Sequence, residues 1–306
     1  MARQSADIIT IDSLTKSFSG QKVVEDLSFS VGRGETFAFL GANGSGKTTT
    51  IRCLLGIYPQ DSGTALIDGQ PYSPSQSQIL GYLPEERGLY LNTSAGEVME
   101  LFGRLKGLST SEAKKRTLDY LEAVELPDKY TAKIKSLSSG QQQKIQLGLA
   151  ILHRPPLLIL DEPTKGLDPV NRQVLMNILF ELQKQGTTIV FTTHQMEEVE
   201  KIASRLVMID SGQRVLYGSL RQIKAEFGQN IIHLSYAGKL PTNKQLYSAR
   251  ARANQAELTP APGVEPSEIL AYLVSKKVNI HEFKLEAPSL DEIFNQVVAE
   301  TRKVRS

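Results

Sequence analysis

Gly41-Ala42-Asn43-Gly44-Ser45-Gly46-Lys47-Thr48-Thr49 decides the fold. Two glycines with four residues between them, followed by Lys and Thr, form the phosphate-binding loop pattern. The flanks fit that pattern. Thr36-Phe37-Ala38-Phe39-Leu40 is a short apolar, β-prone run bounded by Gly34 and Gly41, which reads as a buried strand. After the loop, Thr49-Thr50-Ile51-Arg52-Cys53-Leu54-Leu55 carries apolar residues at helical spacing. A Gly-rich turn that merely precedes a lysine would need neither flank. The glycines let successive N–H groups curl inward around a polyphosphate, and the helix start turns the positive end of its dipole to the same anion. Residues Gly41, Asn43, Gly44, Ser45, Gly46, Lys47, Thr48 and Thr49 are therefore the candidate phosphate cradle. Lys47 is expected at the β- and γ-phosphates, and the Thr48 hydroxyl on Mg²⁺.

Working outward, Leu157-Leu158-Ile159-Leu160-Asp161-Glu162 is an apolar run ending in two acids. A strand buried on both faces reads this way, and its carboxyl end is where open α/β sheets bind ligands. Such a run is common alone, but beside a phosphate loop it makes Asp161 the Mg²⁺-side carboxylate and Glu162 the general base. Thr187 to Thr193 forms another buried-looking strand, with His194 at its end. A lone histidine is more often structural; this position favours a contact to γ-phosphate or water. Ile79 to Leu83 is a strand stopped by Pro84, after which Glu85, Glu86 and Arg87 open a loop. Phe18 is either an edge-strand packing residue or, given the phosphate loop, an aromatic that stacks on an adenine ring.

Residues 8–40 read as antiparallel strands joined at Ser19-Gly20 and Gly32-Arg33-Gly34. The pattern turns helical from Ala95 to Leu126, broken at Gly107-Leu108-Ser109-Thr110. That insertion ends at Leu137-Ser138-Ser139-Gly140-Gln141, and a helix is expected from about 142 to 152. The character changes after Gly228: a strand at 231–236, a polar loop with Pro241, Pro260, Pro262 and Pro266, then helical runs at 266–276 and 289–302. The expected domains are 1–228, with a helical part at about 90–150, and a small α+β appendage at 229–306 joined through the helix-like stretch 219–227.

Bulk composition sets limits. The formal charge of +2 over 306 residues, with dispersed Lys and Arg, gives no reason to expect nucleic acid. One cysteine, Cys53, permits no internal disulfide and suits a reducing compartment. The start of the chain shows no apolar signal segment, and no run reaches the ~18 apolar residues of a membrane span. Any action at a membrane is expected from the aqueous side.

These residues together resemble one family, the nucleotide-binding subunits of ATP-binding cassette (ABC) transporters. The phosphate loop 41–49, the signature-like 137–141, Asp161-Glu162, Gly166-Leu167-Asp168 and His194 stand in that family's order, over about residues 8–228. Stretches 81–90, 191–201 and 288–294 look further like exporters of the sodium, drug or polysaccharide type. The resemblance implies an α/β phosphate-loop NTPase (RecA-like) core with an antiparallel β subdomain and a helical subdomain. It implies ATP and Mg²⁺, and a peripheral place on the cytoplasmic face of the membrane. It also implies an integral membrane permease on a separate chain and a second cassette packed head to tail, as homodimer or heterodimer. Ser138, Gly140 and Gln141 would then meet the partner's γ-phosphate, and Asp168 would lie on the dimer seam. The loop at 84–90 and the helical insertion would meet the permease.

Two residues depart from the family pattern. Ser139 stands where a glycine is usual, and Glu85 stands where Gln usually follows the strand. A glutamate can still ligate Mg²⁺, though it adds negative charge near the phosphates. The alternative function is a soluble ABC ATPase acting on ribosomes or DNA. Such proteins usually fuse two cassettes or insert a long coiled coil, and this chain has neither.

Overall fold

The computed structural model describes residues 7–86, 88–227, 231–286 and 289–305, with side chains to 299 apart from residue 286. Arg87, Gly228 and Pro288, on which three of the sequence expectations touch, lie outside the described residues. The chain divides into two compact units, Met1–Ser219 and Leu220–Ser306.

In the first unit, β1 (Asp7–Phe18) and β2 (Gln21–Gly32) form an antiparallel hairpin turning at Ser19-Gly20, and β3 (Thr36–Leu40) follows. Strand β3 is buried at every position and does not continue that hairpin. It is the correction to the antiparallel reading of 8–40. A strand apolar on both faces gains most inside a parallel sheet covered on both sides, and β3 sits there. Helix α1 (Lys47–Leu54) leads to β4 (Ser62–Ile67), which completes an antiparallel sheet in the order β2-β1-β4. Strand β5 (Leu80–Leu83) precedes the helical insertion, α2 (Ala95–Leu105) and α3 (Thr110–Ala123). Each of these helices starts on a serine whose Oγ accepts the N–H three residues on: Ser94 from Glu97 and Ser109 from Glu112. That chemistry places the break at 107–110.

Helix α4 (Ser139–Ile151) begins earlier than the sequence suggests. Ser138 and Gln141 form a reciprocal capping box, so the signature residues are the first turn of the helix and not a loop before it. Then come β6 (Leu157–Asp161), α5 (Pro169–Lys184), β7 (Thr188–Thr193), α6 (Met196–Ile202), and the hairpin β8 (Arg205–Asp210) with β9 (Gln213–Ser219). The main sheet runs β5-β6-β7-β3-β8-β9; all neighbours are parallel except the last pair. This is an α/β phosphate-loop NTPase fold. The carboxyl ends of β3, β6 and β7 lie side by side and carry the phosphate loop, Asp161-Glu162 and His194.

The second unit contains α7 (Leu220–Glu226), β10 (Ile231–Ala237), β11 (Tyr247–Arg252), β12 (Gln255–Pro260), α8 (Pro266–Ser275), β13 (Asn279–Glu286) and α9 (Leu290–Arg305). Its antiparallel sheet runs β11-β12-β10-β13, and Ile232, Leu234, Tyr236 and Leu258 pack with Ile269 and Leu273 of α8. The polar loop expected between the first strand and helix 266–276 holds the hairpin β11–β12. Its outer strand is exposed at every position after Tyr247, so it has no apolar alternation to read.

Candidate functional site

Folding of the first unit makes a pocket of about 350 Å³ at the amino end of α1, lined by Asn43 to Thr49 with Val23, Glu85 and Glu162. Gly46, at φ +107°, caps α1; a Cβ there would sit 2.7 Å from the Val23 carbonyl oxygen. At Gly41 a Cβ would come within 2.6 Å of the Ile209 carbonyl oxygen. Only glycine lets the loop lie this close to the neighbouring strands. Larger grooves of about 900 and 620 Å³ lie in the second unit and contain no such loop.

The Lys47 side chain is buried inside this loop. Its Nζ donates to the Gly41 carbonyl (2.8 Å) and the Ala42 carbonyl (3.3 Å), and lies 3.6 Å from Glu162 Oε1. The ammonium is thus held inside the loop by the loop's own backbone, beside the Glu162 carboxylate.

Glu162 is buried, and its backbone is left-handed at φ +51°. A non-glycine residue held there costs roughly 1–2 kcal/mol, and such strain concentrates at working sites. Besides Lys47, two groups from the β7 end hold it. Its N–H donates to Thr192 Oγ1 (2.8 Å), and its Oε2 lies 3.0 Å from His194 Nδ1. The same Thr192 hydroxyl donates to Asp161 Oδ1 (2.6 Å), its direct partner in the β6–β7 register. Burial raises the Asp161 carboxyl above its ordinary value, opposed by the Thr192 and Thr48 hydroxyls. Asp161 Oδ2 is buried and, among the described residues, has no partner within hydrogen-bond geometry.

Glu85 lines the pocket rim, where Lys165 Nζ donates to its Oε1 at 2.5 Å. That carboxylate, more than any other neighbour, raises the Lys165 pKa. Asp168 caps α5 by accepting the Asn171 N–H (2.9 Å), and this lowers its pKa. Ser138 and Gln141 are occupied with capping α4, and Gly140 faces Leu167 and Asn171. None of these three lines the phosphate pocket of its own chain. Nor does Phe18, which is 41% exposed at the end of β1, edge-on to Tyr58 at 5.3 Å.

The structure therefore brings together Lys47, Thr48, Glu85, Asp161, Glu162 and His194, and leaves Phe18, Ser138, Gly140 and Gln141 outside that group. Sequence reasoning misses two participants. Thr192 gives a signal as a polar residue in a buried strand. Lys165 gives one as a cation three residues after Glu162.

Comparisons with known proteins bear on this arrangement. Residues 24–165 match the family described as "ABC transporter", and residues 218–298 match "ATP-binding protein DrrA1-3-like, C-terminal domain". The chain is 38% identical to the uncharacterized ABC transporter ATP-binding protein YhaQ of Bacillus subtilis, over 95% of this chain and 98% of that protein. It is 35% identical to the Nod factor export ATP-binding protein I of Ralstonia nicotianae, over 82% and 79%. A solved "ATP binding subunit of ABC transporter" superimposes with a TM-score of 0.67 at 30% identity, covering 72% of this chain and 93% of that one. This chain belongs to the ATP-binding subunits of ABC transporters, a family that binds and hydrolyses ATP.

Proposed function

We propose that the chain is the energy-supplying subunit of an exporter, acting at the cytoplasmic face of a membrane on a permease carried by a separate chain. Two cassettes, identical or different, pack head to tail around two ATP. The phosphate loop of one and Ser138, Gly140 and Gln141 of the other enclose each γ-phosphate. A helix amino end suits that anion for dipole reasons. The observation that carries the reading is the Glu162 carboxylate, buried between Lys47 and His194 at the carboxyl ends of parallel strands.

In this reading Glu162 takes the proton of the attacking water, and His194 orients that carboxylate. Lys47 exchanges its two backbone carbonyls for β- and γ-phosphate oxygens, so ATP meets a cation already in place. The unpartnered Asp161 Oδ2 is a buried acceptor in want of a cation, and with the Thr48 hydroxyl and Glu85 it makes a hard-oxygen set suited to Mg²⁺. When bound, that ion neutralises phosphate charge. Phe18, exposed at the strand end, is the adenine-stacking residue. Asp168 stands on the dimer seam, 84–90 and the helical insertion face the permease, and the second unit is an accessory or dimerisation part. Among the described residues no helix is long and apolar enough to cross a membrane; the separate permease is invoked because the related proteins are ATP-binding subunits of ABC transporters. The name of the Nod factor export relative supports the direction of transport.

The test is co-purification of the tagged protein from its native membranes. A polytopic protein that co-purifies and stimulates ATP hydrolysis when reconstituted with the chain supports the exporter reading. Recovery with ribosomes or DNA-repair proteins, and absence from membranes, would replace it with the soluble-ATPase reading.

A further inference from the structure

Each acid that lines the phosphate pocket has a lysine of its own. Glu162 faces Lys47, and Glu85 faces Lys165. The second pair joins the loop after β5 to the turn between Glu162 and α5; within that turn the Lys165 N–H donates to the Glu162 carbonyl (3.1 Å). We propose that Lys165 is a positioning residue for Glu85, holding its carboxylate at the rim and cancelling its charge until a divalent cation takes the carboxylate over. This rests on the reading of Glu85 as a residue facing Mg-ATP.

Two observations and one electrostatic argument support the proposal. The Lys165 and Glu85 side chains are 59% and 33% exposed, and a pair so open to water is a weak one that a metal–phosphate complex can displace. The loop backbone is secured without it: Gln146 Nε2 donates to the Pro84 and Glu86 carbonyls (3.2 and 3.0 Å), and Arg52 reaches Glu86 at 3.3 Å. The Glu85 side chain can therefore change partner while its loop stays. Finally, without a counter-charge Glu85 would repel the polyphosphate that the pocket is built to hold.

The test is a double-mutant cycle on the full chain, read as affinity for a fluorescent, non-hydrolysable ATP analogue, with Mg²⁺ and in EDTA. Lys165→Met is expected to weaken binding about three- to fivefold in EDTA and to lose most of that effect with saturating Mg²⁺. In the Glu85→Gln background the same substitution is expected to change nothing. An equal loss in both backgrounds, or no loss in either, overturns the proposal. Lys47→Ala serves as control. If it abolishes binding while the cycle shows no coupling, only the Lys165 proposal fails; if it binds normally, the site reading fails with it.

Discussion

His194 Nδ1 lies 3.0 Å from Glu162 Oε2, so the exposed residue at the end of β7 fixes the buried carboxylate at the end of β6. The imidazole is 45% exposed and the carboxylate 6%. His194→Ala is expected to slow turnover about 100-fold, with the urea midpoint and ATP affinity near wild type, because little packing is lost. A parallel loss of stability would show that His194 is a structural residue.

Thr192 serves both acids through one hydroxyl. Thr192→Val keeps the shape but leaves the Glu162 N–H and Asp161 Oδ1 buried without that partner. A stability loss of about 1–3 kcal/mol is expected, with turnover falling further than that loss explains. Denaturant unfolding and steady-state turnover measured together check it; unchanged turnover would remove Thr192 from the site.

Ser138 does not line the phosphate pocket of its own chain, and in the proposed dimer it faces the partner's nucleotide. Ser138→Arg is expected to abolish hydrolysis while the monomer binds ATP within about twofold of wild type. The lost helix cap costs only about 1 kcal/mol. If monomer affinity fell as far as the rate, the head-to-tail arrangement would be wrong for this chain.

His153 gives a pH dependence. Its Nε2 lies 3.2 Å from the Leu80 carbonyl oxygen, and burial first, then the nearby Lys106, pushes its pKa down from 6.5 to about 4. Between those values the unfolded chain binds the proton and the folded chain does not, so stability falls as pH drops from 6.5 towards 4. Unfolding midpoints of His153→Gln are expected to fall less over this window than those of wild type; equal slopes would contradict the assignment.

Much of this site is legible in the sequence because its chemistry is local. The glycine spacing at 41–46, the apolar run ending in Asp161-Glu162 and the strand ending in His194 each carry their meaning within a few residues. What is not legible depends on register and on contacts between distant loops. Thr192 serves Asp161 only because β6 and β7 pair in parallel at that step, and Lys165 meets Glu85 across two loops. The start of α4 is hidden because Ser-Ser-Gly looks like a turn, whereas the Ser138–Gln141 capping box makes it a helix start. The pairing of β3 is hidden for a related reason: short strands declare burial but not their neighbours.

Turnover and oligomeric state of Glu162→Gln, measured side by side, test the central claim most directly. The substitution removes the proposed base and keeps the shape. The account predicts turnover slowed by about two orders of magnitude or more, as expected for a lost general base. ATP affinity should be retained, and an ATP-dependent dimer should be trapped on size-exclusion chromatography. Undiminished hydrolysis, or a variant that stays monomeric with saturating Mg-ATP, would contradict it.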